Sequence, residues 1–242
     1  MIDEQEITRK LLAYGKSIAT EELFPTVVKE AAPLIAADPY AFLIGVCLDR
    51  GTKAEIIWTI PYYMKMELGH LDPKLIHKMS LDDLKKLFAR LPKKPRYINA
   101  APRTVQDLTR IVVEEYDSCA AKIWEGREAR AIEGTLESIY GVGEGIANMG
   151  VLLIERAFSV TFLNKSFMDI KSDTHTMRVL YRLGVSEYLE EQSAMRAARK
   201  MNPSFPGELD GPLWEIGRRF CFASDPDCAG CPMDELCAKM TL

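Results

Sequence analysis

The 242-residue sequence has only three histidines and no surplus of positive charge: 31 Lys and Arg face 35 Asp and Glu, a formal net charge of −4 at pH 7. A strongly basic nucleic-acid binder is not indicated, so any nucleic-acid site must be a local patch on an acidic background. No apolar run reaches the roughly 18 residues a membrane span needs, and no membrane partner is expected. The opening residues, Met1-Ile2-Asp3-Glu4-Gln5-Glu6, are charged and unlike a secretory leader. No internal repeat and no low-complexity linker is evident. With 48% hydrophobic and 27% charged residues, the composition is that of a folded chain. At roughly 100–200 residues per domain, one or two domains are expected. A reducing cytoplasm is the expected location, and no feature demands an oligomer.

In such a compartment six cysteines point to metal ligands or free thiols rather than disulfides. Cys47 and Cys119 stand alone. Cys221, Cys228, Cys231 and Cys237 form a C-x6-C-x2-C-x5-C pattern within 17 residues. Thiolates are soft ligands that suit zinc, copper(I) or iron–sulfur clusters. Structural zinc usually pairs two short knuckles across a longer spacer. Here one loop supplies all four thiols, which fits a [4Fe–4S] cube better, with zinc as the alternative. Pro226 and Pro232 prevent a continuous helix, and Gly230 is expected to take a positive φ in a tight turn.

No window alternates as a strand does, so the expected fold class is all-α. Leu81, Leu84, Leu87, Phe88 and Leu91 fall at helical spacing behind Ser80 as N-cap. Val105, Leu108, Ile111, Val112 and Tyr116 repeat the pattern over 104–116, and Ile146–Phe158 is apolar nearly all round, as a central helix would be. Gly141-Val142-Gly143 lies just before that helix. Glycines there let the backbone turn and expose N–H groups, and the helix N-terminus adds partial positive charge. That is an anion site needing no basic side chain; a plain interhelical turn is the alternative. Asp173 opens a further helix, Asp173-Thr174-His175-Thr176. It reads as an N-cap worth about 1 kcal/mol, which would also hold a carboxylate rigidly enough for catalysis.

The glycine hairpin, the downstream Asp-Thr-His and the cysteine tail, in this order and spacing, resemble the endonuclease III branch of the helix–hairpin–helix DNA glycosylases. The resemblance runs from about Asp38 to Cys237. It implies two all-α domains: a six-helix barrel over 32–166, and a discontinuous domain of 1–31 and 167–242 carrying the cluster loop. By match, Cys221, Cys228, Cys231 and Cys237 hold a [4Fe–4S] cluster and Asp173 is the catalytic carboxylate. Gly141 and Gly143 present N–H groups to a phosphate, and Tyr140 and Gly145 are candidates for the pocket. The partner is double-stranded DNA with a damaged or mismatched base, bound between the domains with the base extruded. A monomer in a bacterial or archaeal cytoplasm is implied.

The sequence also departs from the family. Gly145 stands where bifunctional members carry the lysine that forms a Schiff base, so water is expected as nucleophile and lyase chemistry is doubtful. Lys165 and Lys171 are possible substitutes; the plainer reading for both is solvation or a phosphate contact. Gly45 stands where adenine-specific members have a glutamate, and their further C-terminal domain is not found before Leu242. Arg50 is a candidate wedge or phosphate contact, with pairing to Asp49 as the alternative. Asp225, Asp227, Asp234 and Glu235 make the cluster loop acidic. Basic candidates for DNA are Lys93, Lys94 and Arg96; Arg196, Arg199 and Lys200; and Arg218 and Arg219. Trp58, Tyr62 and Tyr63 join Tyr140 as rings that could stack a base, or pack. A non-catalytic DNA binder, a redox protein and a lyase using another lysine are the competing functions, and the base excised is left open.

Overall fold

Helix boundaries follow from capping and apolar spacing. In the computed structural model, which describes residues 3–242, Ser80 and Asp83 form a reciprocal capping box at the start of one helix. The Ser80 hydroxyl and N–H hold the Asp83 carboxyl below the usual carboxylate range. In chain order the helices are α1 (Glu4–Ser17), α2 (Ala31–Ala37), α3 (Pro39–Leu48), α4 (Ala54–Ile57), α5 (Ile60–Leu68), α6 (Pro73–His77) and α7 (Leu81–Arg90). Then come α8 (Ala101–Glu115), α9 (Ala129–Glu137), α10 (Glu144–Phe158), α11 (Thr174–Leu183), α12 (Glu191–Met201) and α13 (Asp210–Arg219), with four short 3-10 turns between. The described residues contain no strand, so the fold class is all-α. No single helix among them is long and apolar enough to cross a membrane.

The chain divides into two compact units, Thr20–Leu163 and Met1–Ala19 with Asn164–Leu242. The breaks fall at 19/20 and 163/164, where the sequence placed them at 31/32 and 166/167. Residues 20–31 join the first unit because Phe24 packs on Phe42 and Trp58, with ring centroids 6.1 and 5.4 Å away. Such aromatic pairs add about 0.5–1.5 kcal/mol each beyond their burial.

In the 20–163 unit α3 is the central helix, buried from Tyr40 to Leu48 and packed by α2, α5, α8 and α10. Two glycines permit the closest approaches. A Cβ on Gly150 of α10 would lie 2.8 Å from Val46 and 2.9 Å from Leu136. One on Gly45 would lie 2.5 Å from the Trp58 ring. Cys47 is fully buried here and its thiol is pushed up to about 12 by burial, which makes it inert packing.

The other unit closes around one core. Ile7 and Leu11 of α1 meet Val179, Leu180 and Leu183 of α11 and Leu213 and Ile216 of α13. Helices α11 and α13 touch where Gly217 has no side chain: a Cβ there would lie 2.6 Å from the Cβ of His175. Cys221, Cys231 and Cys237 pack against the same core, so the C-terminal loop is seated on it.

Candidate functional site

The glycine hairpin joins α9 to α10. Gly141 takes φ 81°, a left-handed conformation that costs a side-chain-bearing residue about 1 kcal/mol or more. Gly143 is the N-cap of α10, and no side chain caps that helix. Its carbonyl accepts from Ile146 and Ala147 at 3.0 Å, so the N–H groups of Glu144 and Gly145 precede the first intrahelical bonds and face outward as donors. The turn is pinned from both sides. The Tyr140 N–H donates to Asp107 Oδ2 at 2.8 Å, and Arg50 Nη1 donates to the Gly141 carbonyl. Arg50 Nη2 reaches Thr104 Oγ1 at 3.3 Å, and the guanidinium lies 5.5 Å from the Tyr97 ring centroid. Arg50 thus serves as a strut of the hairpin rather than a free wedge, its guanidinium engaged by Gly141, Thr104 and Tyr97.

Asp173 is the N-cap of α11. Its Oδ1 accepts from the N–H groups of His175 at 2.7 Å and Thr176 at 3.0 Å, and its own N–H donates to Thr176 Oγ1 at 3.0 Å. Both cap bonds end on Oδ1, which leaves Oδ2 outside the cap. The approach to Asp173 is fixed as well. The Lys171 N–H donates to the buried Asp210 carboxylate at 2.8 Å, and the Gly207 N–H donates to the Met168 carbonyl at 2.8 Å. The half-buried carboxylate therefore follows a segment that is tied to its neighbours ahead of the cap.

The four clustered cysteines line one cavity of about 420 Å³, with Arg182, Phe220 and Met240. Among the described residues no group of three or more His, Cys, Asp or Glu is disposed to hold a single metal ion. A tetrahedral zinc would draw its thiolates to within about 3.8 Å of each other, from a bond of about 2.3 Å. The four thiols line one common cavity, a soft donor set that suits an iron–sulfur group as well as zinc. N–H donors already face the sulfurs: Arg182 Nη1 reaches Cys221 Sγ at 3.4 Å, and the Lys239 N–H reaches Cys237 Sγ at 3.4 Å. Burial pushes the Cys231 and Cys237 thiols up, and the neighbouring thiols push the same way. Four thiolates gathered here therefore need a cationic centre among them. Gly230 corrects an expectation: it is not among the glycines of positive φ. Its N–H donates to Asp227 Oδ1 at 3.0 Å, and a Cβ would lie 2.6 Å from Oδ2, so this glycine supplies space rather than a left-handed turn.

With hairpin, carboxylate and cysteine cavity placed, the relatives can be weighed. No protein-family model matches the chain. An endonuclease III of Thermotoga maritima is 27% identical over 201 residues, 83% of either chain. A trapped endonuclease III–DNA covalent intermediate superposes with a TM-score of 0.65 at 20% identity, over 99% of this chain and 97% of that one. In sequence and in fold the chain is thus similar to DNA glycosylases of the endonuclease III type. A thermostable thymine-DNA glycosylase shares the fold as well, with a TM-score of 0.63 at 19% identity over 98% and 95% of the two chains.

Several side chains lie differently from their sequence reading. The Gly45 position is closed by Trp58, whose ring is fully buried, so neither an added carboxylate nor base stacking on Trp58 fits there. Tyr62 and Tyr63 pack edge-on to each other at 6.2 Å. Arg199 is committed to the buried Asp169, Lys200 to Glu4 at 2.7 Å, and Arg218 and Arg219 to the fully buried Glu215 at 2.9 and 3.2 Å. Lys165 rests its ammonium 4.1 Å from the Phe205 ring centroid. The acidic cluster-loop residues are engaged too, Asp234 with Lys239 at 2.7 Å and Glu235 with Lys10 at 3.3 Å. Two arginines were missed by motif reading. Arg178 is buried among polar partners, and Arg103 stacks on Tyr140 with its guanidinium carbon 4.0 Å from the ring centroid. The one sequence signal for Arg178 was a charge on the buried face of an amphipathic helix.

Proposed function

We propose that this protein excises a damaged or mismatched base from double-stranded DNA by hydrolysing its N-glycosidic bond, with water as the nucleophile. The observation that carries the reading is the Asp173 carboxylate, fixed through Oδ1 alone, together with a side-chain-free Gly145 at the start of α10. The outward N–H groups at Glu144 and Gly145, with the positive end of the α10 dipole, take a backbone phosphate oxygen. The target base leaves the stack for the pocket. The bond from C1′ to the base nitrogen then breaks, and its electron pair leaves with the base. Asp173 Oδ2 stabilises the positive charge that develops on the sugar and accepts a proton from the water that adds at C1′. That proton passes through solvent to the departing base, which restores the Asp173 carboxylate and leaves an abasic site and a neutral free base. Gly145 offers no amine, and Lys165 is turned onto Phe205, so no Schiff base is assigned.

Cys221, Cys228, Cys231 and Cys237 would hold a [4Fe–4S] cluster, whose thiolate bonds cross-link the loop and add their binding free energy to folding. The chain's own residues perform every step on the sugar.

The test is a panel of end-labelled duplexes, each with one lesion or mismatch, divided between alkaline and neutral work-up. Strand breaks after alkali alone, absent with Asp173→Asn, support a hydrolytic glycosylase and name its base. Breaks without alkali overturn the hydrolytic mechanism. No breaks with tight binding point to a non-catalytic binder.

A further inference from the structure

Two arginines near the hairpin differ from most others in the 20–163 unit; Arg127, which also lacks a carboxylate, is held by the Ile123 and Ala131 carbonyls at 3.1 Å each. Arg90, Arg110 and Arg130 each pair with a carboxylate: Glu67 at 3.1 Å, Asp107 at 3.1 Å and Glu133 at 3.1 Å. Arg96 and Arg103 have no carboxylate partner among the described residues. Each instead lies against an exposed tyrosine ring, Arg103 4.0 Å from the Tyr140 centroid and Arg96 6.0 Å from that of Tyr97. A ring face favours a guanidinium without neutralising it and limits the entropy it loses on binding.

Both pairs are anchored to the hairpin. The Arg96 N–H donates to Thr52 Oγ1 at 2.7 Å, next to Gly51, where φ is 66° and a Cβ would lie 2.7 Å from the Tyr97 ring. Tyr97 in turn carries Arg50, whose guanidinium holds the Gly141 carbonyl and Thr104, the neighbour of Arg103. Tyr140 immediately precedes Gly141, and its N–H is fixed by Asp107. Two unneutralised guanidinium groups are thereby linked to the same hairpin, on a chain whose net charge is −4.

We infer that Arg96 and Arg103, carried on the rings of Tyr97 and Tyr140, grip two further backbone phosphates of a DNA duplex beside the glycine hairpin. The inference rests on the DNA-binding reading above and extends it to named charges. Tyr140 then acts as the support of a phosphate contact rather than as a wall of the base pocket.

The test is fluorescence anisotropy of the full chain with a labelled, undamaged duplex at a series of salt concentrations. Each phosphate contact contributes about one to the slope of log affinity against log salt. Arg96→Gln and Arg103→Gln should each lower the slope by about one, and the double variant by about two. Lys122→Gln, which removes a lysine held by Asp117 at 2.7 Å, should leave it unchanged. Tyr140→Leu should weaken binding several-fold at an unchanged slope, because the charge stays and its support goes, while Tyr140→Phe should behave as the parent. Unchanged slopes in both folded arginine variants, or an equal loss with Lys122→Gln, overturn the inference. A parent chain that binds no duplex at any salt fails the DNA reading itself, which is a distinct result.

Discussion

Arg178 Nε donates to the main-chain carbonyl of Cys221 at 2.6 Å, across 43 residues of sequence. The same guanidinium donates to the carbonyls of Thr174 at 2.9 Å and Gly217 at 2.9 Å, and Nη2 lies 3.0 Å from His175 Nδ1. One buried side chain therefore ties the first turn of α11, which follows Asp173, to α13 and to the first cysteine. Hydrogen bonds to a charged group contribute about 1.5–3 kcal/mol each, and the orphaned carbonyls add a desolvation penalty. Arg178→Ala should destabilise the protein by about 3 kcal/mol or more, read as a lower urea midpoint at unchanged slope. A loss under about 0.5 kcal/mol would mean that water replaces the guanidinium without cost.

Asp173→Asn separates the two duties of that residue. Asparagine is as good an N-cap as aspartate, so stability should change by only a few tenths of a kcal/mol. Base release should fall below detection, while duplex affinity stays within about threefold, or ~0.7 kcal/mol. Retained excision would remove Asp173 from the chemistry.

Gly145→Lys places an amine at the second residue of α10, just ahead of the buried stretch that begins at Ala147. Glycine is the poorer helix former, so the exchange should leave the fold intact. Borohydride should then trap a covalent complex with a lesion-bearing duplex, which the parent chain does not form. Trapping by the parent would show that another lysine supplies the amine.

Glu133 is buried on α9, and burial pushes its carboxyl above the ordinary value of 4.5 against the pull of Arg130. The folded chain then holds this proton more tightly than the unfolded chain. The stability it contributes is complete below the unfolded value and is lost as pH rises through the folded one. Glu133→Gln stays neutral throughout. Over the pH range from the ordinary value of 4.5 up to the raised folded one, the stability of the variant should therefore gain on that of the parent. A constant difference over that range would mean that the group ionises alike in both states.

Local features were legible in the sequence, and distant partnerships were not. The Ser80 and Asp173 caps were readable because each bond spans two or three residues. The burial of α10 was readable from an unbroken apolar run. The hairpin was visible as glycines ahead of that run, but its strut was not, since Arg50 lies 91 residues from Gly141. Arg218 and Arg219 looked available for DNA because nothing in sequence announces that Glu215 is buried beneath them. The first boundary moved because Phe24 finds its aromatic partners far ahead of it in the chain. Gly230 was read by rule as a turn residue, where the constraint is the Asp227 side chain folded against it.

The unit built from α1 and residues 164–242 is assembled from the two ends of the chain. During synthesis α1 emerges before the rest of its unit, and its apolar stripe of Ile7 and Leu11 has no partner there until α11 and α13 are made. At about 5–20 residues per second, that stripe waits on the order of ten seconds beside an intervening unit that is contiguous and free to fold by itself. Holding or shielding α1 through this interval is a task for the ribosome surface or a chaperone. A version of the gene that moves α1 behind α13 would remove the wait.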